Sequence, residues 1–427
     1  MINFENKTVG LIGLGVSNKA VLEYLEKRQI KPTVYLSKCD DVKKDMFVKY
    51  GDDVFYTCED VIFRSPSARP DKIKAKGQVF TEIGFSLENI DCYKIGITGS
   101  DGKTTTSTLI YEALKREKNA FLVGNIGNPL ISQLEKIKKE DYVACELSSF
   151  QLIDLSPELD CAVITSISEN HLDWHSGMLE YIYSKRNILK KAKRAVLCYD
   201  CGYRSFFTHE NVTYYSINDL SSLVGGLSHY VYLKKGVVYY DKEPIIKKSQ
   251  ISLKGDYNVK NVMAMIGACY PIVSKDKIVS IATTFKGVMH RCERVCTKNG
   301  ITFIDSSIDS TPQRSISTLS VFPRSKTIAI MGGYDKNLSY HPLKATLKDI
   351  KMLIICGQNK EKLLGVAPKN VTVVNTLKEA TDLAYKSAKN GDFIVLSPAS
   401  ASFDMYKNYK EKSQDFRKII GDLDGKN

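Results

Sequence analysis

The 427-residue sequence predicts an α/β fold in three domains, and three observations carry that expectation. Short apolar β-type runs alternate with helical segments throughout, the pattern of parallel sheets covered by helices. Two of those runs lead into glycine turns that open helices, at Gly13-Leu14-Gly15 and at Gly99-Ser100-Asp101-Gly102. Near the C-terminal end, three polar loops each follow a strand. The expected domains are 1–92, Rossmann-like; 93–287, of the P-loop mononucleotide-binding type; and 288–427, again Rossmann-like.

Composition narrows the class. An apolar content of 43% supports filled cores and argues against disorder. No apolar stretch approaches the roughly 20 residues that cross a bilayer, so no membrane insertion is expected. The opening MINFENKTVGLIGLG lacks the basic segment and cleavage site of a signal peptide. The 11 cysteines are odd in number and scattered, and Cys198-x-x-Cys201 has no second pair to complete a zinc site. Reduced thiols in a cytoplasmic protein are the simplest expectation. Against 48 acidic residues stand 61 basic ones, a formal charge of +13. Such a balance can mark nucleic-acid binding. Here the lysines are dispersed in pairs, no RNA-binding aromatic signature or helix-turn-helix pattern is present, and a small polyanionic substrate would benefit from the same field.

In the first block a strand over 8–12 runs into Gly13-Leu14-Gly15-Val16-Ser17-Asn18, then a helix through Ala20 to Leu25 and a strand at Thr33–Leu36. This opens a doubly wound unit. The dinucleotide fingerprint is incomplete, because Asn18 takes the place of the third glycine and Ser37, not an acid, follows the second strand. A nicotinamide cofactor is therefore not expected, while a nucleotide diphosphate suits the turn. Ile62 to Ser67 reads as a later strand and its exit.

The second block opens on KIGITGSDGKTTTSTL, the most informative stretch of the chain. Gly99 and Gly102 let the backbone turn tightly, so that N–H groups and a helix N-terminus face an anion. Lys103 can reach β- and γ-phosphates, and the Thr104 hydroxyl can hold Mg²⁺. The spacing is not that of the common P-loop, since Ile97 stands five residues before Gly102. Strands follow at Tyr142–Glu146, 161–166 and 195–199, and the stretch 212–251 is β-rich, with runs at 229–233 and 236–240. Glu146 ends a strand beside the phosphate loop, where a carboxylate can hold Mg²⁺. His171 and His175 have the i, i+4 spacing of a metal pair on a helix. Lys185 falls on a helix, and composition alone does not separate it from a surface lysine. A helix through 262–268 ends the block.

The third block carries strands at 302–305, Thr327–Met331, Met352–Cys356, Val371–Val374 and Phe393–Leu396, with a last amphipathic helix over 407–420. Parallel sheets are expected in all three blocks. His290-Arg291-Cys292-Glu293 offers an arginine for a γ-phosphate. The loops at Asp305 to Pro312, Gly332 to Lys336 and Ser397 to Asp404 each follow a strand, at the edge where α/β domains bind ligands. To this point an enzyme acting on a small polyanionic substrate with a nucleotide and a basic, nucleic-acid-binding ATPase both remain open.

In order along the chain, GITGSDGKTTT, ELSSFQL, ENHLDWH, SKRNI, MHRCE, GGYDKN and SPASASFDMYKNY resemble the Mur ligases, which build the bacterial cell-wall stem peptide. ELSSFQL and SPASASFD favour the branch that adds D-glutamate; an amide ligase of the same superfamily adding another amino acid is the alternative. The resemblance implies a cytoplasmic, monomeric enzyme that joins D-glutamate to UDP-N-acetylmuramoyl-L-alanine through an acyl phosphate, with ATP and two Mg²⁺ ions. It assigns Gly99, Ser100, Asp101, Gly102, Lys103, Thr104, Thr105, Asn261 and Arg291 to ATP. Thr104, Glu146, His171 and a CO₂-carbamylated Lys185 would hold the metals. Gly15, Val16, Ser17 and Asn125 would bind the nucleotide-sugar in domain 1–92 and its neighbour. Lys336, Ser402 and Phe403 would receive D-glutamate in the third domain, which would close over ATP. Two departures stand out: Ser306-Ser307-Ile308-Asp309-Ser310 replaces a common Asp-Ser-Lys-Ala-Thr run, leaving Asp305 one residue away, and Ser67 replaces a glycine.

Overall fold

The computed structural model describes residues 4–36, 47–50, 54–126, 128–172, 174–335 and 338–423. The chain is α/β and divides into two compact units, residues 1–285 and 286–427.

The first unit holds two large sheets. The smaller has five parallel strands, in the order Phe47–Tyr50, Thr33–Leu36, Val9–Ile12, Val61–Arg64 and Gln78–Phe80. The helix Val16–Glu26 turns Val21, Leu22 and Leu25 onto this sheet, where they join Leu11, Phe63 and Phe85 in one core. Lys19, Glu23 and Glu26 of the same helix face water, and that one-sided pattern is what stabilises a short helix on a sheet.

The larger sheet has nine strands. Their order is Glu243–Lys247, Val237–Tyr240, His229–Lys234, Val212–Ser216, Ala195–Cys198, Cys161–Ile164, Tyr93–Thr98, Tyr142–Glu146 and Ala120–Gly124. Its central strands are buried on both faces, so they read as continuous apolar runs. Helices Lys103–Leu114 and Asp256–Cys269 cover one face, bringing Leu109, Ile110 and Met263 into one core with Ile95 and Ile97. On the other face Gly96 makes room for a packed leucine: a Cβ there would lie 2.5 Å from the Leu159 side chain.

The second unit is a six-stranded sheet in the order Glu293–Lys298, Ile301–Asp305, Phe393–Leu396, Thr327–Met331, Met352–Cys356 and Val371–Val374. Helices Leu377–Ser387 and Tyr409–Asp422 contribute Ala380, Ala384, Phe416 and Ile420 to one of its two cores.

The expectation of parallel pairing throughout needs two corrections. His229–Lys234, Val237–Tyr240 and Glu243–Lys247 form an antiparallel meander, and Glu293–Lys298 pairs antiparallel with Ile301–Asp305. Two-residue turns cause both. Lys235 and Gly236 have φ 47 and 76, and Asn299 and Gly300 have φ 49 and 73. Two successive positive φ values make the tight hairpin turn that matches strand twist. Asn-Gly is the plainest sequence mark of that turn.

Candidate active site

The strand Tyr93–Thr98 lies between Cys161–Ile164 and Tyr142–Glu146, so its C-terminal end opens in the middle of the sheet. The loop that follows is shaped by its glycines. Gly99 has φ 148 and a Cβ there would fall 1.9 Å from Thr165 Oγ1; Gly102 has φ 81, with Asn261 Oδ1 only 2.4 Å from its missing Cβ. Helix Lys103–Leu114 begins at Gly102, and its first helical bond runs from the Thr106 N–H to the Gly102 carbonyl at 2.9 Å. Amides in the turn before that bond have no acceptor within the helix and point along its axis toward an anion. Ser166 braces the loop from the next strand: its carbonyl accepts from Ser100 N–H at 2.6 Å and its hydroxyl from Asp101 N–H at 3.1 Å. Ser100 and Thr105 are buried, whereas Asp101 is exposed. Thr104 stands in the first turn, its carbonyl accepting from the Thr108 hydroxyl at 2.7 Å. Asn261 is buried behind the loop on helix Asp256–Cys269 and accepts from the Thr106 hydroxyl at 3.3 Å.

Two lysines meet at one carbonyl. Lys103 Nζ donates to Gly99 O and Ser100 O, both at 2.9 Å, and Lys185 Nζ donates to Gly99 O at 2.8 Å. Lys185 is 1% exposed and lies over the Tyr181 ring, 4.6 Å from its centroid. Burial drives its ammonium well below the usual lysine range, and the charge of Lys103 adds to the effect. On the adjacent strand Glu146 is also buried. Its Oε1 accepts from Asn125 Nδ2 at 2.9 Å, while its Oε2 has no hydrogen-bond partner. A buried carboxylate oxygen left unmatched costs free energy unless something positive meets it.

His171 and His175 do not sit on a helix. The N–H groups of Trp174 and His175 both donate to the His171 carbonyl, at 3.1 and 3.0 Å, and helix Met178–Arg186 begins only after them. His171 is exposed with φ 56 and meets the Phe150 ring edge-on at 4.8 Å. His175 turns inward instead, with Nδ1 3.0 Å from Glu180 Oε2 and Nε2 2.9 Å from Ser149 Oγ. Both of its nitrogens are occupied, so the pair divides into one outward and one structural histidine.

In the smaller sheet, Gly13 has φ 75 and Gly15 caps helix Val16–Glu26. Val16 is 64% exposed at that helix start, and Ser17 follows it. Asn18, in the place of a third glycine, is buried, and its Nδ2 binds the carbonyls of Ile12, Gly13 and Phe63 at 2.8–3.0 Å. It therefore fastens two strand ends where a glycine would only pack. Ser65 faces the same turn, and its hydroxyl oxygen lies 3.1 Å from that of Ser67.

In the second unit the three polar loops follow three adjacent parallel strands, Ile301–Asp305, Phe393–Leu396 and Thr327–Met331. Asp305 is spent internally, accepting from Ser413 and, at 3.0 Å, from Arg417. With His290 and Glu293 it forms a compact cluster, but Arg417 also donates to Glu293 at 2.6 Å and supplies the positive charge a metal would bring. Asp309 is buried, accepts from Ser397 Oγ at 2.7 Å, and is pushed up by that burial. Arg291 lies between two residues of positive φ, His290 (65) and Cys292 (49). Ser402 is buried with an unmatched hydroxyl, and Phe403 is 62% exposed. Lys336 lies outside the described residues.

A nucleotide-type phosphate loop with two inward lysines and a buried acid defines an α/β protein built to manage a polyphosphate. The chain belongs to the Mur ligase family: residues 97–269 match the Mur ligase middle domain and 290–400 the Mur ligase, glutamate ligase domain. It is 37% identical over 446 residues to a UDP-N-acetylmuramoylalanine–D-glutamate ligase of Clostridium botulinum, covering 98% of this chain and 97% of that one. A relative of the same name from Acetivibrio thermocellus is 36% identical with the same coverage. Among solved structures, UDP-N-acetylmuramate-alanine ligase of Thermotoga maritima shares the fold with a TM-score of 0.62 at 16% identity, over 97% of this chain and 99% of that one. A MurF ligase from the same organism, in complex with ADP, gives 0.59 at 14%, over 99% and 97%.

Proposed function

We propose that the protein is an ATP-dependent ligase that joins D-glutamate to the L-alanine carboxyl of UDP-N-acetylmuramoyl-L-alanine, in cytoplasmic peptidoglycan precursor synthesis. The observation that carries this reading is the Gly99 carbonyl held by both Lys103 and Lys185, beside a helix N-terminus and a buried Glu146 with one oxygen unmatched. Residues 99–105 cradle the triphosphate, with Lys103 leaving the loop carbonyls for the phosphates, and Asn261 and Arg291 contact the nucleotide. Gly15, Val16 and Ser17 hold the uridine end of the nucleotide-sugar in domain 1–92. Asn125 orients its distal part beside Glu146. Lys336, Ser402 and Phe403, in domain 288–427, receive D-glutamate.

Thr104, Glu146, His171 and Lys185 suit a magnesium site. The unmatched Glu146 oxygen asks for a cation, and burial at Lys185 favours the uncharged amine, the nucleophilic form that would take up CO₂, release a proton and present oxygen in place of a charged amine. Magnesium bound there supplies the positive charge that offsets repulsion between a carboxylate and a triphosphate. A carboxylate is a poor electrophile, so the γ-phosphoryl group passes to it first. Lys103 and the loop amides hold the phosphate oxygens during that transfer. The D-glutamate amine then attacks the acyl carbon, the C–N bond forms, and the C–O bond to phosphate breaks. Phosphate release with UDP-N-acetylmuramoyl-L-alanine and a panel of amino acids tests the reading. D-glutamate should be the strongest responder; no response to it overturns the assignment in favour of another amide ligase.

A further inference from the structure

The exit of strand Val61–Arg64 is tied toward the phosphate loop through the Glu180 carboxylate. Arg69 donates to Glu180 with both ends of its guanidinium, Nη1 to Oε2 at 3.1 Å and Nη2 to Oε1 at 3.0 Å. Glu180 Oε2 also accepts from the Ser176 N–H at 2.9 Å and meets His175 Nδ1 at 3.0 Å. Arg69 holds this carboxyl down at about 2, so it is ionised and only accepts. His175 therefore carries its proton on Nδ1, and its Nε2 accepts from the Ser149 hydroxyl at 2.9 Å. Ser149 begins the helix three residues after Glu146.

The same arginine lies over the Trp174 ring, 4.9 Å from its centroid, and donates to the Trp174 carbonyl at 2.6 Å. Trp174 Nε1 in turn donates to the Ser67 carbonyl at 2.9 Å. Beyond Glu180, helix Met178–Arg186 reaches the phosphate loop twice. The Tyr181 hydroxyl lies 2.8 Å from Ser100 Oγ, and Lys185 binds the Gly99 carbonyl. A route of hydrogen bonds and one helix thus runs from Ser67 and Arg69, just beyond the Ser65 that meets Gly13 and Gly15, to Ser100 and Gly99 in the cradle.

We propose that Arg69, Glu180 and His175 are positioning residues that couple occupancy of the nucleotide-sugar turn to occupancy of the phosphate loop. This rests on the substrates assigned above. Either ligand fixes one end of helix Met178–Arg186, so the second meets an element already ordered and binds more tightly. The chemistry needs that order, because the acyl acceptor and the triphosphate must be present together.

The test is calorimetric titration with a non-hydrolysable ATP analogue and Mg²⁺, with and without UDP-N-acetylmuramoyl-L-alanine, after each ligand is titrated singly. In the unaltered protein the second ligand should tighten the first by about fivefold or more, within the usual range of such coupling. In Glu180→Gln and Arg69→Lys the factor should fall below about twofold while each ligand alone binds within about twofold of normal. Trp174→Phe, which removes the bond to Ser67 and keeps an aromatic ring beside Arg69, should lower it partly and serves if either other variant fails to fold. Absence of coupling in the unaltered protein, or its survival in the folded variants, overturns the proposal. Parallel weakening of both ligands with the factor unchanged marks a merely structural role and overturns it too. Failure of the unaltered protein to bind either ligand singly would instead sink the substrate assignment.

Discussion

At the scale of single residues, Lys185 separates function from stability most cleanly. Its amine is buried, and burial drives its ammonium well below the usual lysine range. The folded state therefore holds that proton less tightly than the unfolded chain does, and the lysine opposes folding at pH values below its unfolded pKa. Lys185→Met should raise the melting temperature at pH 7 and abolish turnover. The Gly99 carbonyl it abandons stays satisfied by Lys103 at 2.9 Å. Calorimetric melting of both proteins checks the first half, and a fall in melting temperature would refute it. Lys185→Ala should lose most activity and regain part of it with added acetate or bicarbonate; an unchanged rate removes Lys185 from the chemistry. Lys103→Ala should lose nearly all turnover with the fold retained, since the Gly99 carbonyl keeps Lys185 as a donor at 2.8 Å. Normal turnover in that variant would refute the phosphate cradle.

At the scale of elements, the phosphate loop depends on a backbone that only glycine adopts easily. Gly102→Ala adds a side chain at φ 81, facing Asn261. The left-handed conformation alone costs about 1–2 kcal/mol, and the clash displaces the residue that braces the helix start. Melting should fall by a few degrees and ATP-analogue affinity by tenfold or more; equal affinity would show that the turn tolerates rearrangement. This loop was legible in the sequence because everything that shapes it is local: a strand, two glycines, a lysine and a helix in order. The strands at Thr33–Leu36, Tyr142–Glu146, Thr327–Met331 and Phe393–Leu396 were legible to the residue for the same reason. Pairing direction was not, since parallel and antiparallel neighbours leave similar apolar runs. Asn299-Gly300 held the signal for one hairpin and was passed over. The histidine spacing misled because i, i+4 describes one isolated turn as well as a helix. What separated His171 from His175 was Glu180, Ser149 and Phe150, contacts that spacing does not encode. Ser166 and Asn18 were missed for a related reason: each acts on a neighbouring strand end.

At the scale of the whole molecule, the two sheets of the first unit share buried structure. Ile131, in the segment after strand Ala120–Gly124, packs into the core of the smaller sheet with Phe80 and Phe85. Its N–H donates to Glu82 Oε1 at 2.7 Å, and Ser86 Oγ donates to the same oxygen at 3.3 Å. Glu82 opens helix Glu82–Glu88 and is 1% exposed. Burial outweighs those hydrogen bonds and raises its carboxyl from 4.5 to about 7. The folded state therefore holds the proton more tightly than the unfolded state does. Its contribution to stability is complete below pH 4.5 and is lost as pH rises to about 7, by about 3 kcal/mol at 1.36 kcal/mol per pKa unit. Glu82→Gln keeps an oxygen for the Ile131 N–H and removes the titration. Urea unfolding of both proteins between about pH 5 and 8 should then show a gap that opens with pH, the glutamine variant being the more stable above about pH 7. A gap of constant size would place the proton elsewhere, and the junction of the two sheets would owe its pH response to other groups.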